Sequence, residues 1–367
     1  MRFAGAFPGN SLYFVVEYAA QACYNRMSHN VFNHFSALAG HPGGQNRWAE
    51  SAGLNESGVF PMPQNEKKSS IAAVVVTYNR LDLLRQCVDA LRAQSAACDI
   101  LIIDNASTDG TGQWAAEQSG LRYRNTGANL GGAGGFSFGI RWAAEEGYDR
   151  LWIMDDDTLP KPDALQKLLE AEEILGGNYG WLSSVALWLD GSTCRMNEQL
   201  PRRYCGESMP LLKYGLLRAE RASFVSMFLR RETVMQVGLP FAEFFIWGDD
   251  AEFSRRIAVR AGLPSYVVGQ SQVVHATKSN HGMSLATDSE ARIDRYWYSY
   301  RNEGFMLRKE GFSGVSRYLY RCARDFAAVL VKAPTKKGKR LRTLLRGMWA
   351  ALLFHPKIEY LKETVLR

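Results

Sequence analysis

No two of the six cysteines stand close enough to read as a metal-ligand or redox pair. Cys23, Cys87, Cys98, Cys194, Cys205 and Cys322 are scattered over 367 residues. That scatter argues against a disulfide-stapled secreted scaffold and fits reduced thiols. Long apolar runs are also missing. No segment reaches the roughly 20 apolar residues of a membrane helix, and the best early candidate, residues 11–22, is short and carries Glu17. Arg2 alone makes a poor basic leader and no clear cleavage site follows, so the chain reads as cytoplasmic. There is no Gly-Lys-Ser/Thr phosphate loop, and no nucleic-acid module accompanies the basic residues. With 46% hydrophobic and 22% charged residues, the composition excludes a chain dominated by disorder.

What is there begins with charge. The net charge is +7, yet residues 313–367 hold 13 Lys or Arg against 3 Asp or Glu, so the rest of the chain is slightly acidic. The basic character belongs to the tail, where apolar residues from Tyr318 to Leu353 recur at helical spacing between Arg and Lys. Such a pattern suits either a basic amphipathic helix pair on an anionic membrane surface or a helical hairpin packed on the preceding domain.

Residues 71–76, Ile-Ala-Ala-Val-Val-Val, form a short continuous apolar run, the pattern of a strand buried on both faces of a parallel sheet. An alternation follows: a helix over 81–93, a strand over 100–103, and a helix to about 119 capped by Ser107 or Thr108. Next come a short strand over 121–124, a helix entered through the glycines 131–135, and a strand over 151–154. Pro160 is expected to open a further helix that stops at Gly176-Gly177. Alternating strands and helices at this spacing predict an α/β fold with a mostly parallel sheet flanked by helices. Ligands in such sheets bind at the carboxyl ends of the strands.

Polar clusters stand at those ends. Thr77-Tyr78-Asn79-Arg80 follows the first strand, Asp104-Asn105-Ala106-Ser107-Thr108-Asp109 the second, and Asp155-Asp156-Asp157 the fourth. The first two have an ordinary alternative as turn and cap chemistry. Three adjacent acids ending a buried strand repel one another and call for a cation. Oxygen ligands at that density suit Mg²⁺ or Mn²⁺, completed by substrate phosphates. Asn129 opens a glycine-rich helix entry that loosely matches a phosphate cradle. Downstream, Trp247-Gly248-Asp249-Asp250-Ala251-Glu252 places acids before a helical stretch, where they answer the helix dipole or supply a base to an acceptor hydroxyl. His275 ends a strand-like segment, as a structural imidazole or, beside a metal, a ligand.

The triple acid, the Trp247–Glu252 segment and His275, together with Val74–Arg80, Asp104–Asp109 and Arg295–Asn302, resemble family 2 glycosyltransferases of the GT-A fold over residues 71–307. Galactofuranosyltransferases using UDP-galactofuranose are the most similar, with dTDP-rhamnose rhamnosyltransferases close behind. The resemblance implies that Thr77, Tyr78, Asn79, Arg80, Asp104, Asn129, Asp155 and Asp156 hold the nucleotide sugar. It implies Asp155, Asp157 and His275 as ligands of Mn²⁺ or Mg²⁺, and Asp250 as the base with Asp249 beside it. It implies Trp247, Glu252 and His281 toward the acceptor, a bacterial cell-surface glycan or a lipid-linked one, and an inverting reaction at the inner face of the membrane. Polymerising galactofuranosyltransferases carry a sizeable β-rich domain where this chain has about 70 residues, so one or a few additions are expected.

Three regions are therefore expected: an N-terminal segment over 1–69, a catalytic domain over 70–310 and a basic helical region over 311–367. Two other classes stay open on sequence. One is a nucleotide-sugar binding protein without turnover. The other is a nucleotidyltransferase, for which Arg80 is thin support.

Overall fold

In the computed structural model, residues 71–361 are described, apart from 198, 203–205, 281 and 283. They belong to one compact unit, Asn65–Arg367. The expectations for residues 1–69 and for His281 lie outside the described residues.

The apolar run is strand β1 (Ile71–Thr77), and it sits mid-sheet. It pairs in parallel with β2 (Asp99–Asp104) on one side and β4 (Arg150–Asp155) on the other, while β3 (Leu121–Asn125) extends the sheet beyond β2. Burial on both faces follows from the alternation of the side chains. Ala72, Val74 and Val76 pack with Phe136 and Ile140 of helix α3 (Gly131–Glu145). Ala73 and Val75 pack with Leu84, Cys87 and Val88 of helix α1 (Leu81–Arg92). Each fully buried valine contributes roughly 1.5–3 kcal/mol of transfer energy, so this strand is fixed in register by both cores.

The remaining strands are β5 (Thr158–Pro160), β6 (Leu182–Leu187), β7 (Leu200–Pro201), β8 (Leu216–Arg221), β9 (Met227–Arg230) and β10 (Tyr266–His275). The order is β3-β2-β1-β4-β9-β6-β10-β8-β7, with β5 paired to β10. β9 runs against both β4 and β6, and β8 and β5 run against β10. The other strands share one direction, so the sheet is mixed but mostly parallel, as the GT-A expectation requires. Its carboxyl edge gathers the ends of β1, β2, β4 and β10.

Two local expectations need correction. Pro160 opens no helix: it closes β5, and the helix α4 (Ala164–Ile174) starts four residues later. Neither Ser107 nor Thr108 caps helix α2 (Thr111–Glu117), whose N-cap is Gly110 at φ 89°. Their amides are taken instead by Asp104 and Asn79, as described below.

Beyond helix α5 (Arg231–Val237) and helix α6 (Asp249–Arg255) come α7 (Tyr296–Arg308), α8 (Gly311–Lys332) and α9 (Lys337–Leu353). Tyr300 of α7, Tyr318, Cys322 and Val329 of α8, and Leu344 of α9 share one core. Part of the basic run is internal: Arg340 is 1% exposed and donates to the carbonyls of Leu285, Asp288 and Thr335. No helix among the described residues is long and apolar enough to cross a membrane.

Candidate active site

The turns after β1 and β2 brace each other. Asn79, at φ 53°, accepts the Thr108 amide on Oδ1 (2.7 Å), and its own amide donates to Ser107 Oγ (2.8 Å). Asp104 is fully buried, accepting the Ser107 amide (2.8 Å) and the Tyr123 hydroxyl (2.7 Å). Tyr78 is exposed beside them. Asn129, also exposed, accepts the Gly131 amide (2.9 Å) and so shapes the entry to α3.

That entry approaches another loop closely. Gly131, at φ 70°, would place a Cβ 2.0 Å from the Phe245 carbonyl, and the same carbonyl accepts the Ala133 amide (3.2 Å). Only glycine fits there. The Phe245–Trp247 loop is itself strained, with φ 63° and 66° at those two residues. Asn302 Nδ2 of α7 holds it, lying 2.8–3.2 Å from the carbonyls of Phe244, Ile246 and Trp247. The Trp247 ring packs edge-on against Tyr296 (5.1 Å).

The triple acid closes β4. Asp156 accepts the Thr77 hydroxyl (2.8 Å), and Arg80 reaches Asp157 (2.8 Å) and Asp156 (3.4 Å). His275 Nε2 meets the other Asp157 oxygen at 2.9 Å. The three acids thus face two cations. Burial pushes Asp155 up to about 7, with the Asp157 charge adding to it. Burial likewise pushes Asp156 to about 6 against the pull of Arg80. For Asp157, burial is outweighed by His275 and Arg80, so it stays below the usual range. Burial opposes a charge on His275, but the hydrogen bond to Asp157 and the thiol of Cys194 lift it to about 10.

Asp155, Asp157 and His275 each present one ligand atom, all within 4.8 Å of one another. Two hard carboxylate oxygens and one imidazole nitrogen are a donor set that fits Mn²⁺ or Mg²⁺. Asp249 and Asp250 open α6 at its positive end. Burial raises Asp249 well above the carboxylate range, with Asp250 and then Asp155 adding like charge. Asp250 is half-buried and also raised by burial; Oδ1 accepts the Ala251 amide (2.6 Å), and Arg221 pulls against the shift.

The profile of glycosyl transferase family 2 matches residues 72–174, the span that builds β1 to β4 and the triple acid. A galactofuranosyltransferase of Mycobacterium tuberculosis is 30% identical over 262 residues, covering 66% of this chain and 83% of the relative. The chain is a family 2 glycosyltransferase. A galactofuranosyltransferase of Mycolicibacterium smegmatis is 28% identical over 66% of this chain and 84% of that one. Among solved structures, a mannosyltransferase from Pyrobaculum calidifontis superposes with a TM-score of 0.46 at 19% identity, covering 80% of this chain and 78% of that one.

In this glycosyltransferase one expected acceptor residue is otherwise engaged. Glu252 is 3% exposed, and its carboxylate is committed to Arg256 (2.7 Å) and Arg260 (3.3 Å), on the far side of α6 from solvent.

Sequence reasoning missed Asn197. Its Oδ1 accepts His275 Nδ1–H at 2.6 Å and the Cys194 thiol at 3.1 Å, and its Nδ2 donates to Ser223 (3.1 Å). Nothing in the local pattern marks it, since it ends a single 3₁₀ turn, Arg195–Asn197, more than 70 residues from its partner. The Arg301-Asn302 pair was visible as a motif, but its work as the brace of the Phe244–Trp247 loop was not.

Proposed function

We propose that this glycosyltransferase is an inverting, metal-dependent galactofuranosyltransferase that transfers galactofuranose from UDP-galactofuranose to a hydroxyl of a lipid-linked or cell-surface glycan. The observation that carries the metal-dependent reading is the convergence of Asp155, Asp157 and His275 within 4.8 Å at the carboxyl edge of the sheet. The donor assignment rests on the 30% identity to the mycobacterial galactofuranosyltransferase.

Asp155, Asp157 and His275 would hold Mn²⁺ or Mg²⁺, which supplies charge stabilisation to the leaving diphosphate. The braced loops of Thr77–Arg80 and Asp104 seat the uridine, with Tyr78 exposed to the base. Asn129 orients the α3 entry toward the phosphates, and Arg80 turns from Asp156 and Asp157 toward them. Trp247 offers an aromatic face to the acceptor ring. Asp250 takes the proton from the acceptor hydroxyl as the oxygen attacks the anomeric carbon and the bond to the diphosphate breaks on the opposite side. Burial raises its pKa, which makes it a stronger base than an exposed aspartate. Asp249, lifted further, keeps its proton and neighbours the base without competing for the acceptor.

The test is donor hydrolysis by purified protein, with UDP-galactofuranose, UDP-galactopyranose, UDP-glucose and dTDP-rhamnose each in Mn²⁺ and in chelator. Metal-dependent UDP release from the furanose alone is the expected result. Release of dTDP from dTDP-rhamnose instead transfers the protein to the rhamnosyltransferases.

Asn197 fixes the ring of His275 by accepting its Nδ1 proton, which leaves Nε2 directed at the carboxylates. Asn197→Ala is expected to weaken Mn²⁺ binding about 10–100-fold, measured by titration of the free ion's EPR signal without substrate. Unchanged affinity would remove Asn197 from the site.

The surface of α8 and α9 suits an anionic bilayer. Phe312 is 86% and Trp349 67% exposed, with Leu345, Leu352 and Leu353 exposed beside Trp349 and with the exposed Arg342 one turn before Leu345. Aromatic and leucine side chains beside an exposed basic residue are the composition of an interfacial helix. Co-sedimentation with vesicles containing phosphatidylglycerol is expected to fall about ten-fold in Trp349→Ser/Leu352→Ser and to weaken in high salt. Equal binding to neutral phosphatidylcholine vesicles would refute the anionic surface.

A further inference from the structure

A cavity lies apart from the carboxylate cluster. It has a volume of about 280 Å³ and is lined by Asp294, Trp297 and Tyr298 before and within α7, and by Thr343 and Arg346 of α9. Its charge is unbalanced. Asp294 is neutralised by Lys339 (2.8 Å), whereas Arg346 has no hydrogen-bond or ion-pair partner among the described residues. Nor is any acceptor supplied for the indole N–H of Trp297, which is partly exposed at the cavity wall.

One wall of the cavity touches the loop that carries Trp247. Tyr298 lines it and stacks on Phe245 (4.9 Å), the residue whose carbonyl packs on Gly131. One turn further along the same helix, Arg301 and Asn302 hold the carbonyls of Glu243, Phe244, Ile246 and Trp247. Trp297 stands edge-on to Tyr298 (4.9 Å), with Arg301 over its ring (4.7 Å), so the aromatic wall is pre-positioned. An aromatic wall accepts the apolar face of a sugar ring, and an unpaired guanidinium accepts a phosphate or carboxylate through two parallel hydrogen bonds. The volume is at the small end of ligand sites, the size of one ring and its substituents.

We infer that the Asp294–Trp297–Tyr298–Thr343–Arg346 cavity is an acceptor subsite that takes a glycosyl unit bearing an anionic oxygen group. The ring lies against Trp297 and Tyr298, and the anion lies on Arg346. This inference rests on the transferase reading above and adds which acceptors that site selects.

The experiment measures binding to the full chain in the presence of UDP and Mn²⁺. The probes are methyl galactofuranoside, its 6-phosphate, and the corresponding uronic acid with a carboxylate at the same carbon. Wild-type protein is expected to bind both anionic probes at least about ten-fold more tightly than the neutral one. The tighter of the two names the natural anion. Arg346→Gln, a change at an exposed position, is expected to erase that preference while leaving affinity for the neutral probe and for UDP unchanged. Trp297→Leu is expected to weaken all three probes alike and to keep the preference. Equal wild-type affinity for the three probes overturns the inference, and so does a preference that survives in Arg346→Gln. Absence of metal-dependent UDP binding in the wild type would instead strike the transferase reading, since the probe affinities are read separately.

Discussion

Asp157→Ala is expected to lower metal-dependent UDP release by about 10³-fold, equivalent to roughly 4 kcal/mol of barrier. Asp157 is the hinge of the charged cluster, accepting Arg80 on one oxygen (2.8 Å) and His275 on the other (2.9 Å). Losing it removes one of three clustered ligand atoms and leaves two buried or half-buried cations facing fewer carboxylates. The consequence reaches beyond the metal. His275 owes its rise to about 10 chiefly to Asp157, so in the variant its imidazole returns toward its ordinary range. The check is UDP release at saturating donor, together with a Mn²⁺ titration of both proteins. A variant that keeps wild-type turnover with unchanged Mn²⁺ affinity would show that the convergence of Asp155, Asp157 and His275 is structural.

The second large effect separates the two acids of α6. Asp250→Asn is expected to reduce transfer about 10²–10⁴-fold, the range for losing a general base, with UDP and Mn²⁺ affinity within about two-fold of wild type. Asp249→Asn is expected to cost less than about ten-fold. The difference has a physical cause. Asp249 is 7% exposed and lifted well above the carboxylate range by burial and by like charge, so an amide reproduces its neutral form. Asp250 is half-buried and raised more modestly, which leaves it able to cycle between acid and carboxylate. Turnover and binding measured side by side on the two variants decide it. Equal losses would mean that the pair acts as one unit, and a larger loss at Asp249 would exchange their roles.

Legibility in the sequence followed the range of the interaction. Strand β1 was readable because burial on both faces demands an unbroken apolar run, and Ala72 to Val75 are fully buried. The triple acid was readable because three like charges in succession have no inexpensive explanation without a cation. Pro160 misled because a proline that suits a first helical turn equally suits the end of a short edge strand, and only the pairing of β5 with His275, Val274 and Val273 decides between them. The ion pairs of Glu252 were hidden for a related reason. An acid in a catalytic-looking segment carries no sign of its partner, and Arg256 lies one helical turn away, where an ion pair forms readily. Asn197 and the Gly131–Phe245 contact were invisible because each joins residues many tens of positions apart through a single hydrogen bond or a missing Cβ. For the basic tail both a membrane-surface helix pair and a packed hairpin stayed open, because counting charges does not reveal that Arg340 is spent on internal carbonyls.

The measurement that tests the central claim most directly is calorimetric titration of UDP into the purified protein, once with Mn²⁺ and once with EDTA. A site built from Asp155, Asp157 and His275 predicts UDP binding that is strong with the ion, at least about ten-fold weaker in EDTA, and insensitive to EDTA in Asp157→Ala. UDP that binds wild-type protein equally well with and without metal would contradict it.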